Sequence, residues 1–248
     1  MAQVLDAPTT HVAGTGHDGG HGHEEHPTST GINHRKLLMW LFLASDCMFF
    51  GALIATYMIY RGQAETVAEA GAGTGPFPHE LIDIPYTSVS AFVLLMSSMT
   101  MVLALAGLQR GDLRASRLWT FATAALGIIF LGGQYFEFTE FYHEGLGLTT
   151  NMYGTTFFTL TGFHGTHVTI GVIWLLTLLF VSLRGGLQQE DSLDLEIAGL
   201  YWHFVDIVWI VIFTLVYLIP YSKDVSSEPA EHAASIVGLG QAFLLRFL

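Results

Sequence analysis

Two pairs of residues hold the side chains best suited to metal or proton chemistry. His164 and His167 lie three apart in one apolar run, and His203 and Asp206 lie three apart in the next. On a helix that spacing puts both members of a pair on one face. Two imidazoles and a carboxylate make a conceivable ligand set for a metal. They make an equally good structural set, because an imidazole held by a carboxylate satisfies both groups in an apolar medium. Metal sites in helix bundles draw on more, such as Glu-x-x-His repeated on facing helices, and that repeated set is absent.

Asp46 falls inside the first apolar run, about 15 Å along a helix from Lys36 and so near the middle of a bilayer. Ionisable groups at that depth are costly and face protein or a water-filled cavity. Asp46 is a candidate proton-relay or gating carboxyl; the other reading is a hydrogen-bonding group that fixes helix packing. Gln134, Glu137 and Glu140 recur at intervals of three at the end of the third run. Such a stripe lines a cleft, binds a headgroup, or simply meets interfacial water. The lone Cys47 excludes an internal disulfide and reads as a small hydrophobe. His11, His17, His21, His23 and His26 sit apart in a Gly-rich stretch near the N-terminus. Tracts of this kind can bind metal, and a solvated tail without a ligand is the plainer alternative.

The elements that must hold these groups are membrane spans. Only 12% of the 248 residues are charged and 51% are hydrophobic, whereas soluble domains carry about 25% charged residues. So little charge cannot cover a soluble surface. Five apolar runs follow one another, at about Lys36–Tyr60, Thr87–Gln109, Arg117–Phe141, Tyr153–Leu183 and Ile197–Tyr221. Each is long enough to cross about 30 Å of hydrocarbon as a helix. The predicted fold is all-α, a polytopic membrane protein with five transmembrane helices in a bundle.

Residues 1–33 read as a disordered tail, 34–221 as the membrane domain, and 222–248 as a second tail that turns apolar at its end and could lie on the membrane. The N-terminal tail has no apolar core segment or cleavage pattern, so the first span is expected to direct insertion itself. Arg61–Tyr86, with its Gly71–Pro76 stretch, reads as a flexible loop; Arg110–Ser116 is short and basic, and 184–196 short and acidic. Trp40, Tyr57, Tyr60, Trp119, Tyr153, Tyr201 and Tyr221 lie near run ends, as an interfacial aromatic belt would. Gly127, Gly132, Gly133, Gly162, Gly165 and Gly171 would let helices approach closely.

Six of the nine Lys and Arg residues (Arg35, Lys36, Arg110, Arg114, Arg117 and Arg184) fall on the side of the N-terminus. That bias predicts the N-terminus in the cytoplasm and the C-terminus outside. The net charge of −12 comes from acids in loops and tails, and no basic footprint for nucleic acid is visible.

Two long motifs point to a family. The fourth run reads Tyr153-Gly-Thr-Thr-Phe-Phe-Thr-Leu-Thr-Gly-Phe-His-Gly-Thr-His-Val-Thr-Ile-Gly171, and the fifth Tyr201-Trp-His-Phe-Val-Asp-Ile-Val-Trp209. Both closely resemble subunit III of the haem–copper oxidases, of the cytochrome c oxidase type. Ser97-Ser98-x-Thr100, Gly111-Asp112, Leu126-Gly127, Gln134-x-x-Glu137 and Glu196 match as well. The resemblance covers about 36–60 and 88–220, and it is to the shorter bacterial form that begins at the third helix of a seven-helix pattern. Asp46 stands where the family usually has Glu. The loop Gln188-Gln189-Glu190-Asp191 stands where a His pair often precedes the position of Glu196.

The resemblance implies an accessory subunit of a proton-pumping terminal oxidase in the bacterial cytoplasmic membrane. It would pack against subunit I, beside subunit II, hold phospholipid in a cleft between helices, and support proton supply to the core. Haem and copper would reside in those partners and none in this chain. The three intramembrane His residues are too few for the haem-bearing subunit, and one Cys cannot supply the Cys pair of the copper-bearing one. Asp46 is then the proton or gating candidate. Gln134, Glu137, His164, His167, Glu196, His203 and Asp206 are lipid-cleft or structural polar groups. A quinol oxidase and a nitric-oxide-reductase-associated homologue share the pattern. A small transporter built on Asp46 lacks an inverted repeat; a metalloprotein built on His164, His167 and His203 is the remaining class.

Overall fold

The computed structural model describes residues 33–69, 84–187 and 191–219. The N-terminal His cluster, the Gly71–Pro76 stretch, Tyr221 and the C-terminal tail lie outside them. The described chain forms α1 (His34–Glu69), α2 (Ile84–Gln109), α3 (Leu113–His143), α4 (Met152–Leu183) and α5 (Ser192–Phe213). The last continues as a π-helical turn, Thr214–Leu218. No strand occurs among the described residues, and all five helices are long and apolar enough to cross a membrane.

The helices outrun the apolar stretches. α1 continues well past Tyr60 to Glu69, so the first part of the expected Arg61–Tyr86 loop is helical. Gln63-Ala64-Glu65 and Ala68-Glu69 are strong helix formers whose polarity hides them from a hydropathy reading. At 36 residues, α1 is about 54 Å long, well beyond the hydrocarbon thickness. α5 likewise begins at Ser192, inside the expected 184–196 connection. Local chemistry marks the other ends. Asp112 and Asn151 cap α3 and α4 by accepting from the amides of Ala115 and Gly154. Gly111 and Gly185 stop α2 and α4 with φ of 79° and 80°, which disfavours any side chain. Ile219 turns extended at the residue before Pro220.

α5 is the axis of the bundle. Over its apolar span 56% of residues are buried, against 17% for α1. Around it, α2 packs on α3 and α5, α3 on α4, and α1 on α4 and α5. The seams have a seven-residue beat. Leu43, Phe50 and Tyr57 face inward from α1, and Leu94, Met101 and Leu108 from α2. That period suits the shallow crossings common in membrane bundles.

Trp202 fills the centre. Its ring lies over Gly127 of α3 and Gly171 of α4, where an added Cβ would come within 2.6 and 2.9 Å of it. Its indole N–H donates to Ser97 Oγ at 3.0 Å. Gly133 and Gly165 lie under Ser90 and Gln134 in the same way. Gly132 and Gly162 do not: a Cβ there would meet nothing within 4 Å, so they open no helix contact within this chain. The helix period sets them facing away.

Candidate functional site

The polar groups sort into three layers along α5. The first lies where α1 and α5 begin. Arg35 pairs with Asp194 and Lys36 with Glu196, tying the starts of the two helices together. Glu196 is thus placed as an ion-pair partner of α1.

The middle layer holds the expected pairs, but they divide differently. His164 is fully buried and faces α5: its Nε2 lies 3.2 Å from the Val205 carbonyl, and its ring stacks on Trp209 at 4.8 Å. His167 faces α1 instead. Its Nδ1 donates to the Phe163 carbonyl at 2.7 Å, and its Nε2 lies 3.6 Å from Asp46 Oδ2. Three residues fall short of a full helical turn, and in a close-packed bundle that angular difference is enough to change neighbours. The Asp46–His167 pair links the first and fourth runs, and sequence spacing could not reveal it.

With Nδ1–H donated to a carbonyl, His167 turns its Nε2 edge toward Asp46. At 3.6 Å the contact is too long for a direct hydrogen bond. Tyr201 closes the layer by donating to the His167 carbonyl at 3.0 Å.

His203 and Asp206 do share a face, as their spacing predicts. Ser98 Oγ of α2 lies 2.6 Å from His203 Nδ1. Asp206 is buried, and its Oδ1 has no hydrogen-bond partner among the described residues.

The third layer corrects the polar stripe of α3. Gln134 and Glu137 are buried and only Glu140 is exposed. Gln134 donates to the Thr161 carbonyl at 3.0 Å, and Glu137 accepts from Thr87 at 2.7 Å. These groups join helices and do not meet the interface. Tyr57, Tyr153 and Tyr201 are likewise buried and not in a lipid-facing belt; the hydroxyls of Tyr57 and Tyr153 lie 2.9 Å apart. Cys47, by contrast, is exposed on the outside of α1. Among the described residues no three His, Cys, Asp or Glu side chains converge as a metal site would require.

Arg61 escaped the sequence reading. It is buried, and its guanidinium donates to the carbonyls of Leu215 and Ile219 at 2.7 and 2.5 Å. These are orphan acceptors at the end of α5, where a cation also complements the helix dipole. A lone Arg at the boundary of an apolar run was the available signal.

Comparison with known proteins places the sequence beside several relatives. The sequence model of the family described as cytochrome c oxidase subunit III matches residues 16–221. A cytochrome c oxidase subunit 3 from Bacillus sp. (strain PS3) is 37% identical over 195 residues, covering 79% of this chain and 90% of that one. A quinol oxidase subunit 3 from Bacillus subtilis (strain 168) is 39% identical over 179 residues, 72% and 84% of the two chains. A probable quinol oxidase subunit 3 from Staphylococcus saprophyticus is 37% identical over 187 residues, 75% and 90%.

Proposed function

Since this chain belongs to the cytochrome c oxidase subunit III family, we propose that it is the accessory, non-redox subunit of a proton-pumping terminal oxidase in aerobic respiratory electron transport. It packs against subunit I, stabilises that catalytic subunit, and holds phospholipid. The observation that carries this reading is the meeting of the two long motifs. They form the two halves of one interface: Trp202 sits on Gly171, Tyr201 bonds the His167 carbonyl, and His164 reaches Val205 and stacks on Trp209.

Asp46 and His167 are the proton-holding pair of this reading, with side chains only 14% and 15% exposed. They act by buffering or gating proton supply at the side of the core. The other polar candidates (Gln134, Glu137, His164, Glu196, His203 and Asp206) hold the bundle's shape. The membrane is the bacterial cytoplasmic one, with the N-terminus inside, as the Lys and Arg bias indicates.

A quinol oxidase is the second reading, favoured by the names of two of the relatives above. The donor binds elsewhere in such a complex, so this chain's residues do not choose between them. Affinity purification of the native complex through this chain tests both. The expected product contains haem and consumes oxygen; reduced cytochrome c or a quinol as sole donor identifies the class. A chain that purifies from membranes without haem-bearing partners would overturn the proposal.

A further inference from the structure

We infer that a single buried water molecule is bound where α3, α4 and α5 meet, accepting from the indole N–H of Trp209 and donating to His164 Nδ1 and Gln134 Oε1. The site lies wholly inside this chain, so it does not depend on the oxidase reading. Its three residues come from three helices and are close neighbours. The His164 ring stacks on Trp209 at 4.8 Å, and Phe130 of α3 meets both rings edge-on, at 5.9 and 4.9 Å. Gln134 stands one helical turn beyond Phe130. Its Oε1 lies beside Gly165, the residue after His164, 2.9 Å from where a Cβ would stand, and Gly165 has no side chain to cover it.

All three side chains are more than nine-tenths buried, with 0% of His164, 2% of Trp209 and 7% of Gln134 exposed. Each keeps one polar atom without a hydrogen-bond partner among the described residues: His164 Nδ1, Trp209 Nε1 and Gln134 Oε1. The bonds these side chains do make fix the character of those atoms. The Val205 carbonyl can only accept, so His164 Nε2, 3.2 Å away, carries the ring proton. No carboxylate pairs with this imidazole among the described residues, and a buried imidazolium without one is costly. The ring is therefore neutral and Nδ1 is an acceptor. Gln134 donates its amide N–H to the Thr161 carbonyl, so its Oε1 is an acceptor too. The indole of Trp209 can only donate. Two acceptors cannot satisfy each other, and one N–H cannot serve both well. A water matches the set, because it accepts once and donates twice, and buried waters make about three such bonds. Polar atoms left bare inside a membrane are costly, and this water removes three of them while tying the two long motifs to α3.

Electron cryo-microscopy of the native complex, purified through this chain and resolved well enough to show ordered waters, tests this. The expected result is a water peak about 2.7–3.2 Å from all three atoms. Trp209→Phe keeps an aromatic ring against His164 and removes the only donor, so the peak should be lost while the helices stay in place. A wild-type map with no peak at the site would overturn the inference. So would the Trp209 N–H donating directly to Asp206 Oδ1, which lies three positions earlier on α5 and also has no partner among the described residues. A peak unchanged in Trp209→Phe would overturn it as well. Nitrogen-15 NMR of the histidine-labelled wild-type complex gives a second reading that needs no folded tryptophan variant, with the His164 signals assigned by their loss in His164→Gln. A neutral ring protonated at Nε2, with Nδ1 shifted as a hydrogen-bond acceptor, is expected; a proton on Nδ1 would overturn the inference.

Discussion

Asp46 Oδ2 lies 3.6 Å from His167 Nε2, and that contact sets what a substitution there can do. Asp46→Asn keeps the size of the side chain and an amide that can donate to Nε2 of His167. Assembly should be normal, and initial oxygen consumption by the purified complex should stay within about twofold, with the active lifetime during turnover shortened. Asp46→Leu removes the polar partner and should cost about 1–3 kcal/mol of stability, read as a lower yield of assembled complex. Immediate loss of most activity in an assembled Asp46→Asn complex would instead mean that Asp46 carries protons directly. The glycines give a paired test. Gly171→Leu drives a side chain into the Trp202 ring and should destabilise the subunit by about 1–3 kcal/mol. Gly162→Leu meets open space and should shift thermal unfolding little. The sequence marked all these residues as polar or small at membrane depth. It could not say that His164 and His167 would part company, because a fraction of a helical turn matters only once neighbours are known. Nor could it find Ser98 against His203, since that contact joins two separate helices far apart in the chain.

Helices were legible as elements wherever apolar runs were long, and their ends were not. Hydropathy reports the lipid boundary, whereas a helix ends where its backbone finds caps. Asp112 and Gly111 mark such an end, and the Ala- and Glu-rich extension of α1 continues past the apolar run. Burial was the harder quantity. A lipid-facing side is as apolar as a packed one, so Tyr57 looked like a belt residue although it is buried. Arg61 is the element-scale test. Arg61→Gln leaves at least one of two carbonyls at the π turn without its donor, and should lower stability by about 1–3 kcal/mol while helix content by circular dichroism is kept. Wild-type stability in that variant would mean lipid headgroups or water serve those carbonyls equally well. On the proposed orientation with the C-terminus outside, protease added to the cytoplasmic face of oriented vesicles should leave residues 222–248 intact, and their cleavage from that face would reverse the topology.

At the scale of the whole molecule, the described residues form a bundle of α5 and the four helices around it, whose outer surface is largely apolar. Deleting residues 1–30 should leave assembly and turnover nearly unchanged, since that segment has no apolar face to dock; a loss of about tenfold in oxidase activity would give the His cluster a role. The central claim is that this chain supports a redox machine without being part of its redox path. The most direct measurement is to dissociate the subunit from the purified complex and determine haem, copper and oxygen consumption in each fraction. All haem and copper should stay in the residual core, which still reduces oxygen, and none should follow the separated chain. Stoichiometric haem or copper in the separated chain, or a core that keeps its haem yet cannot turn over at all, would contradict that claim.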